Sequence, residues 1–413
     1  MTYAGATAPE LLKMRIAIVH EWLDSYAGSE RVVEQFLMCF PQAELFAIVD
    51  FMPESDRHFL GGRPVRTSFI QRLPFARRAF RNYLGLMPLA VEQFDLTGYD
   101  LVLSSSHAVA KGVITGPDQL HISYVHSPIR YGWDLQHQYL RQANLTRGLK
   151  GLYARWLLSS LRRWDVRTAN GVDIFVANSR YIARRIHKVY RRSAEVIHPP
   201  VAVDQFKFEP CKGGTYLTVS RQVPYKRIDL IAAAFATMPD RQLIIVGDGP
   251  ENARIKAAAK GAANISFRPA IPHKELVGLM QSARAFLMAA EEDFGITMVE
   301  AQACGTPVIS FCRGGAADIV CDVGSSRPTG VLFPTQTVES IVDAVDRFEN
   351  LSLAIVPEHC RANAMRFTEA AFQTRFRDLV ANTVLARWQT ERSSEGAGAQ
   401  DMEYADISVR DDG

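Results

Sequence analysis

Two carboxylates and a glycine lie close together after a strand-like apolar run in the second half of the chain. Glu292 and Glu300 are separated by seven residues, and Gly295 stands between them. A helical pattern begins after this glycine, so the backbone N–H groups of Gly295, Ile296 and Thr297 would lack partners within the helix. Such groups bind anions, and a diphosphate is a suitable ligand. Helix capping would explain Glu292 but not the whole set.

Two cations follow a predicted strand earlier in the same half, in Ser220-Arg-Gln-Val-Pro-Tyr-Lys-Arg. Arg221 ends the strand, and Lys226 lies across a proline turn from it. The carboxyl ends of parallel strands are where α/β domains bind ligands. These cations could neutralise a leaving pyrophosphate and so contribute electrostatic catalysis. The alternative is an ordinary pair of surface charges on a loop.

Glycine turns and histidines occupy other strand ends. Gly247 and Gly249 lie in Val-Gly-Asp-Gly-Pro, and Gly28 follows the first predicted strand and precedes a helix. Each turn is a candidate phosphate-facing loop, although a single G-x-G pattern has little specificity. His126 and His20 each end a strand. A histidine at that position fits a site residue or a packed strand-end residue equally well.

Several classes of protein are excluded by missing patterns. The chain has no G-x-x-x-x-G-K-[ST] motif and no H-E-x-x-H motif, which argues against a P-loop enzyme and a zincin. Its six cysteines show no C-x-x-C spacing, so we expect reduced thiols and no metal site. No apolar run approaches the length of a spanning helix. We therefore expect a cytoplasmic protein.

The elements that position these residues form two strand–helix alternations, which imply parallel strands joined by crossover helices. A segment broken by prolines and glycines near residues 195–212 separates the two alternations. The length of 413 residues also fits two domains. We therefore predict an α/β protein with two Rossmann-like domains facing each other across a deep cleft. The predicted strands are Met14–Val19, Glu44–Val49, Asp100–Ser104, His121–His126, Asp173–Ser179, Thr215–Ser220, Gln242–Val246, Ile265–Phe267, Ala285–Ala289 and Val308–Phe311.

The domain boundaries follow from the same pattern. We predict an N-terminal acceptor-binding domain over 1–200, with a loose leader at 1–13, and a C-terminal donor domain over 201–370. A helix over 371–390 would cross back to the N-terminal domain. Residues 391–413 carry seven acids and two arginines among Gly, Ala and Ser, so we expect a disordered acidic tail.

Charge is distributed unevenly along the chain. The formal net charge of +3 combines +8 over residues 1–200 with −5 over residues 201–413. Residues 141–192 contain 13 basic and two acidic residues. Large apolar residues recur there at helical spacing, and a second basic and aromatic stretch runs from Arg72 to Leu84. The recurring apolar residues are Leu149, Leu152, Tyr153, Trp156, Leu157, Leu158, Leu161 and Trp164.

Three interpretations of the basic and aromatic segments remain open. Such a helix can lie in a membrane interface with its arginines facing anionic head groups, and we expect Trp156, Arg163 and Trp164 to take part. It can equally be a helix that faces the core and has a solvated arginine side. The third interpretation is that these segments bind nucleic acid, but no recognised nucleic-acid-binding module occurs in the sequence.

Taken together, the motifs resemble those of the retaining glycosyltransferases of the family-4 type, which have the GT-B fold. The resemblance runs from about Arg15 to about Trp388 and is most specific in Phe294-Gly295 and in Glu300-Ala-x-Ala-x-Gly-x-Pro-Val. The segment Tyr124-Val-His-Ser-Pro-Ile-Arg-Tyr-Gly-Trp-Asp is similar to the mannosyltransferase-like branch found in bacterial O-antigen and exopolysaccharide clusters.

The resemblance implies a nucleotide-sugar donor, held mainly by the second domain, and transfer with retention of configuration without a bound metal. It implies that Arg221 and Lys226 contact the diphosphate and that Glu300 binds ribose. It places Glu292 and His126 near the donor sugar. The remaining residues that it assigns to donor binding are Gly28, Gly247, Gly249, Phe294, Gly295, Ile296 and Thr297.

Three functions remain possible from the sequence. The first is transfer of a hexose, mannose from GDP-mannose in particular, onto a lipid-linked glycan by a peripheral enzyme on the inner face of the cytoplasmic membrane. The second is a glycosyltransferase that uses a UDP-sugar, or an epimerase or phosphorylase of similar two-domain fold. The third is a nucleotide-sugar-binding protein without catalysis. The retained charges at Arg221, Lys226, Glu292 and Glu300 argue against the third.

Overall fold

The computed structural model describes residue 11 and residues 13–407, with their side chains except at 352 and 390–407. Two parallel sheets organise the chain. The first has the strand order β3-β2-β1-β4-β5-β6-β7 and the second has β10-β9-β8-β11-β12-β13. Helices cover both faces of each sheet, which confirms the predicted α/β class with two Rossmann-like domains.

The strands of the first sheet are β1 (Ile16–Leu23), β2 (Glu44–Asp50), β3 (Val65–Thr67), β4 (Leu101–Ser106), β5 (Leu120–Val125), β6 (Ile174–Ala177) and β7 (Glu195–Val196). The strands of the second sheet are β8 (Thr215–Val219), β9 (Gln242–Val246), β10 (Ile265–Arg268), β11 (Phe286–Met288), β12 (Val308–Phe311) and β13 (Gly330–Phe333).

The helices up to the second sheet are α1 (Gly28–Cys39), α2 (Ala76–Ala79), α3 (Met87–Glu92), α4 (Gln136–Gln142), α5 (Gly148–Thr168) and α6 (Arg180–Tyr190). The helices that follow are α7 (Ile228–Phe235), α8 (Asn252–Ala258), α9 (His273–Ser282), α10 (Ile296–Ala303), α11 (Ala316–Ile319), α12 (Val338–Leu351), α13 (Pro357–Ala364) and α14 (Glu369–Ile407). Short 3₁₀ turns lie at Glu54–Leu60, Phe69–Arg72, Phe80–Leu86, Ala110–Gly112, Ala169–Gly171, Val203–Gln205, Pro224–Lys226, Ser352–Ala354 and Met365–Phe367.

The central strands are apolar runs because both of their faces are covered. β4 and β5 are buried along their whole length, and β1 is buried except at Trp22. In both sheets the strand order reverses direction beside the first strand, between β1 and β4 and between β8 and β11. A crevice opens outside the carboxyl ends of the strands at such a reversal. The two reversals therefore position the candidate site.

Helix α14 returns from the second domain to the first. Its Phe376 stacks on Phe36 of α1 with ring centroids 4.4 Å apart, and Phe372, Val380 and Val384 are buried in the same core. Burial of one such phenylalanine contributes about 1.5–3 kcal/mol. The sequence predicts a crossing helix at 371–390, and the structure has a helix that starts two residues earlier.

The chain ends differ from their predicted description. The helical backbone of α14 continues to Ile407, where the sequence predicts a disordered tail from residue 391. Extending an existing helix adds one hydrogen bond per residue without a new nucleation cost, which favours continuation through Ala- and Glu-containing sequence. Leu11, in the predicted loose leader, packs in the first core. Residues 1–10, 12 and 408–413 lie outside the described residues.

Candidate active site

A cleft of about 800 Å³ lies between the two domains at the carboxyl ends of their strands. Residues from both domains line it. The cleft brings together nine of the predicted site residues, which are Gly28, His126, Arg221, Lys226, Glu292, Phe294, Gly295, Ile296 and Thr297. Trp22, Arg81, His107, Arg130 and Tyr131 also line the cleft.

The second domain contributes the N-terminus of α10 to the cleft. Gly295 is the residue before the helix, and its φ of 104° is a backbone conformation that other residues rarely adopt. Ile296 and Thr297 begin the helix, so their N–H groups lie at its electropositive end. Phe294 is buried under the loop, 3% exposed, and packs against His198 and Phe367. This end of the cleft is built to receive an anion.

The two predicted cations differ in their surroundings. The ammonium group of Lys226 forms an ion pair with the carboxylate of Glu292. Arg221 is exposed, and the described part of the chain gives it no ion-pair partner. An anionic ligand would therefore meet one free guanidinium group and would compete with Glu292 for the ammonium group.

Three predicted donor residues lie outside the lining of this cleft. Gly247 and Gly249 pack against the backbone of the loop that carries Arg221, where a Cβ atom would lie 2.0 Å from the carbonyl oxygen of Ser220 and 2.4 Å from that of Gln222. Gly247 also lines a neighbouring cavity of about 450 Å³ together with Arg221 and Thr297.

Glu300 lies on α10, one turn inside the helix, and is largely buried. Its Oε1 accepts a hydrogen bond from Nη1 of Arg31 at 3.1 Å. Arg31 belongs to α1 of the first domain, so this predicted ribose ligand is already part of a contact between the domains. A nucleotide that bonded to Glu300 would compete with Arg31.

The first domain contributes the Gly28 loop and His126. A Cβ atom on Gly28 would lie 3.2 Å from Cδ1 of Ile296, so the loops of the two domains meet at this point. Nε2 of His126 is 2.8 Å from Oγ of Ser105. Burial, together with the nearby His107 and His20, lowers the pKa of His126 to about 3. His126 is therefore a neutral imidazole in the cleft.

A second histidine in the cleft was not predicted from the sequence. Nδ1 of His107 lies 3.0 Å from Oε2 of Glu21, which is fully buried on β1. The other oxygen, Oε1 of Glu21, accepts four backbone N–H bonds from residues 107–110 at 2.8–3.1 Å. Burial would raise the pKa of Glu21, but His107 and these bonds hold it well below its usual range. The available signal was the carboxylate of Glu21, two residues after the predicted apolar strand Met14–Val19.

Ion pairs join the two walls beside the cleft. Asp293 of the second domain pairs with Arg130 and with Arg185, whose Nη1 lies 3.5 Å from Oδ1 of the carboxylate. Asp318 accepts a bond from Nε of Arg180 at 2.9 Å. In each pair the first domain supplies the cation and the second supplies the carboxylate. The excess of positive charge in the first half of the sequence thus faces carboxylates of the second half across the contact between the domains.

The arrangement is suited to an anionic, phosphate-bearing ligand. A helix N-terminus and two cations converge on one end of the cleft, and a neutral imidazole lines the opposite domain. Donors that are already oriented stabilise developing negative charge without reorganisation. The cleft is also large enough for a ligand of several hundred Å³.

Two family models match adjacent parts of the chain. The model of Glycosyltransferase Family 4 matches residues 26–205, and the model of Glycosyl transferases group 1 matches residues 204–367. The junction of the two matches lies in the segment between the two sheets. Together they account for both Rossmann-like domains.

The chain is also similar to named proteins. It is 30% identical over 208 residues to a GDP-mannose-dependent alpha-(1-6)-phosphatidylinositol monomannoside mannosyltransferase of Mycolicibacterium smegmatis, covering 43% of this chain and 53% of that protein. It is 27% identical over 275 residues to a D-inositol 3-phosphate glycosyltransferase of Mycobacterium leprae, covering 55% and 62%. The alignments thus span little more than half the length of these relatives.

Solved structures share the fold. Anabaena HepE in complex with UDP has a TM-score of 0.64 at 16% identity, covering 89% of this chain and all of that one. Sucrose-phosphate synthase of Thermosynechococcus elongatus has a TM-score of 0.64 at 17% identity, covering 91% and 100%. The two matched family models and this shared architecture lead to one assignment. The chain belongs to the family-4-type glycosyltransferases with the GT-B fold.

Proposed function

We propose that this protein is a retaining glycosyltransferase that moves mannose from GDP-mannose onto a lipid-linked glycan in polysaccharide synthesis. The observation that carries the proposal is the convergence of Arg221, Lys226 and the N-terminus of α10 on one interdomain cleft. A nucleoside diphosphate is the leaving group that such a set of donors would stabilise. The mannosyl donor is supported by the relative that is named GDP-mannose-dependent.

The proposed reaction needs no separate strong base. The bond between the sugar C1 and the pyrophosphate oxygen breaks while the acceptor oxygen bonds to C1 on the same face. The acceptor's proton passes to the departing phosphate oxygen. The positive charge of Arg221 and Lys226 stabilises the diphosphate as it leaves, and closure of the two domains limits hydrolysis by water.

Binding of the donor is the first test. We expect GDP-mannose to raise the melting temperature of the protein more than UDP-glucose, UDP-N-acetylglucosamine or UDP-galactose, because a ligand that binds only the folded state stabilises it. A thermal-shift series at matched concentrations measures this. A selective rise with one UDP-sugar would replace the GDP-mannose proposal with the UDP-sugar alternative, and turnover of that donor without an acceptor would favour an epimerase.

Independence from metal ions is part of the proposal, since protein cations and helix N–H groups take the role that Mg²⁺ has at other diphosphates. We expect initial transfer rates with excess EDTA to equal those with added Mg²⁺ or Mn²⁺. A rate that is lost with EDTA and restored by a divalent ion would contradict this part of the proposal. Thermal shifts by the same ions without donor would show whether the metal binds the protein alone.

The proposed lipid-linked acceptor requires contact with a membrane, and α5 supports such a contact. None of the helices in the described residues is both long and apolar enough to cross a bilayer. The first half of α5 exposes an apolar stripe, Leu149, Leu152, Tyr153 and Trp156, at helical spacing i, i+3, i+4 and i+7. Leu149 is 86% exposed. An unpartnered stripe of this kind, flanked by cations, fits an anionic membrane surface.

The second half of α5 packs against the core, which is the alternative interpretation that the sequence left open. Leu158 and Leu161 are buried, and Nε1 of Trp164 donates to Glu92 at 2.7 Å while the ring packs over Gly112. Trp164 is therefore half-buried on the core side and is not part of the exposed stripe, so the proposed membrane contact does not include it. Phe75, 82% exposed beside Arg77 and Arg78, extends the basic and apolar character elsewhere on this domain.

The stripe gives a prediction for membrane binding. We expect the double variant Leu149→Ser and Trp156→Ser to bind anionic liposomes at least about tenfold more weakly, because each large apolar side chain that enters a bilayer contributes about 1.5–3 kcal/mol. Co-sedimentation with phosphatidylglycerol vesicles measures the change. The control is Leu353→Ser, which removes a leucine that is 97% exposed on the other domain. Equal binding by the double variant and the control would remove α5 from the membrane contact.

A further inference from the structure

A chain of polar side chains connects the Gly28 loop with His126 inside the first domain. Nε2 of His20 is 3.2 Å from Oε1 of Glu30, and Nδ1 of His20 is 3.1 Å from Oγ of Ser105. The same Oγ is 2.8 Å from Nε2 of His126. The other oxygen of Glu30 accepts bonds from Ser29 and from the backbone N–H of Ala27, both at 3.0 Å. One end of the chain thus holds the loop and the other holds the imidazole in the cleft.

The members of this chain are enclosed by protein. His20 and Ser105 are 0% exposed and Glu30 is 3% exposed. β1 and β4 pair in parallel with His20 directly opposite Ser105, so the contact is set by the sheet register. A buried polar group that loses its hydrogen-bond partner destabilises the folded state, so these side chains are fixed in their bonded arrangement.

Both ring nitrogens of His20 face hydrogen-bond acceptors. One is the Glu30 carboxylate, and the other is the backbone carbonyl oxygen of Ser105, 3.3 Å from Nδ1, which can only accept. The titratable groups around the ring are Glu30 of α1, Glu21 of β1, His107 after β4 and His126 after β5. Burial opposes protonation, but the two carboxylates outweigh it and raise the pKa of His20. The ring is therefore suited to carry both protons.

The proton count on His20 determines which way the Ser105 hydroxyl points. When both nitrogens of His20 donate, the Nδ1 proton is shared between the carbonyl oxygen and Oγ of Ser105, so the hydroxyl hydrogen is available for Nε2 of His126. His126 is neutral, so its single proton must then lie on Nδ1. When His20 loses the Nδ1 proton, the Ser105 hydroxyl donates back to it, and the favoured site for the His126 proton becomes Nε2.

We propose that His20 is a positioning residue that selects the tautomer of His126 through Ser105 while it fixes the Gly28 loop through Glu30. Because Ser105 occupies Nε2, Nδ1 is the ring nitrogen of His126 that is left for a ligand in the cleft. With His20 doubly protonated, His126 presents an N–H donor to a sugar hydroxyl or a phosphoryl oxygen. With His20 neutral, it presents an acceptor. This step rests on the proposed function only for the identity of the ligand.

The tautomer is measurable without any ligand. In full-length protein labelled with ¹⁵N-histidine, we expect the NMR shifts of His126 to report a protonated Nδ1 and an unprotonated Nε2 near neutral pH. Raising the pH through the pKa of His20 is expected to move the proton to Nε2. In Ser105→Ala the His126 tautomer should no longer follow the protonation of His20.

Ser123→Ala is the matched control, because Ser123 is equally buried on the neighbouring strand β5 and its hydroxyl has no hydrogen-bond partner among the described residues. We expect this variant to keep the wild-type tautomer. A second variant, His20→Gln, tests the source of the effect, and circular dichroism establishes that each variant is folded. Should His20→Gln fail to fold, Ser105→Ala removes only one hydroxyl group and still decides the question.

Activity gives an independent measurement. We expect Ser105→Ala to lower kcat at least about tenfold, since a wrong tautomer of a site histidine impairs catalysis, while the dissociation constant of the donor changes less than about twofold. A protonated Nε2 in the wild type, or the same tautomer in Ser105→Ala as in Ser123→Ala, would overturn the proposal. If no tested nucleotide-sugar is turned over, the proposed function fails, but a His126 tautomer that depends on Ser105 still supports the connection.

Discussion

Lys226→Ala is expected to lower the rate of sugar transfer by about 100-fold or more while the protein stays folded. The ammonium group stands at the end of the cleft where α10 begins, and it is partly exposed there. Removing one oriented electrostatic donor from a developing anion costs about 100- to 1,000-fold in kcat. Steady-state transfer from GDP-mannose, with melting temperatures measured beside it, gives the result.

The design needs a control for loss of charge alone. Lys256→Ala removes an exposed lysine of α8 in the same domain and should leave transfer within about twofold, as expected for a surface charge away from the cleft. Lys226→Ala also releases Glu292 from its ion pair, so Glu292→Gln is measured in parallel. Wild-type turnover in Lys226→Ala would remove this residue from the mechanism.

Gly314→Ala is also expected to lower the rate of sugar transfer strongly, because the new Cβ atom would displace the backbone near Glu292. Gly314 has a φ of 81°, and a Cβ atom there would lie 2.2 Å from the carbonyl oxygen of Glu292 and 2.9 Å from its nitrogen. Neither backbone atom can move without shifting the loop that leads to α10. A misplacement of about 1 Å at a reacting centre can cost about 100-fold in rate.

Gly324→Ala is the matched control because a Cβ atom there meets nothing within 4 Å. We expect Gly314→Ala to lose about 1–3 kcal/mol of folding free energy as well, since the left-handed conformation is unfavourable for alanine. Urea unfolding separates that loss from the loss of transfer in the protein that remains folded. Transfer equal to that of Gly324→Ala would mean that the Glu292 loop tolerates displacement.

Long apolar runs made the framework predictable. β1, β4 and β5 are buried strands, and each was predicted from its short apolar run with bounds that differ by at most a few residues. Short elements were missed. β7 has two residues and β3 has three, which is too little sequence for an alternating or apolar pattern to form. These two strands form because they pair with β2 and β6, and the sequence of a two- or three-residue segment carries no signal of that pairing.

Side-chain partners were the less predictable part of the site. The pattern around Gly295 placed the helix N-terminus correctly because a glycine before a helical run is a local signal. The contacts of Glu300 with Arg31 and of His20 with Ser105 join residues 269 and 85 positions apart. No spacing rule covers such distances. The strand order brings His20 and Ser105 together, and the contact between the domains brings Glu300 and Arg31 together. His107 was missed for the same reason.

The proposed function requires a pyrophosphate to bind at the N-terminus of α10 between the two cations. A crystal structure of the protein with GDP would show whether it does. We predict phosphate oxygens within hydrogen-bond distance of the backbone nitrogens of Ile296 and Thr297, with Lys226 turned from Glu292 to the phosphates. A diphosphate bound elsewhere, with Lys226 still paired to Glu292, would rule out this binding site and the roles of Lys226 and Arg221 in catalysis.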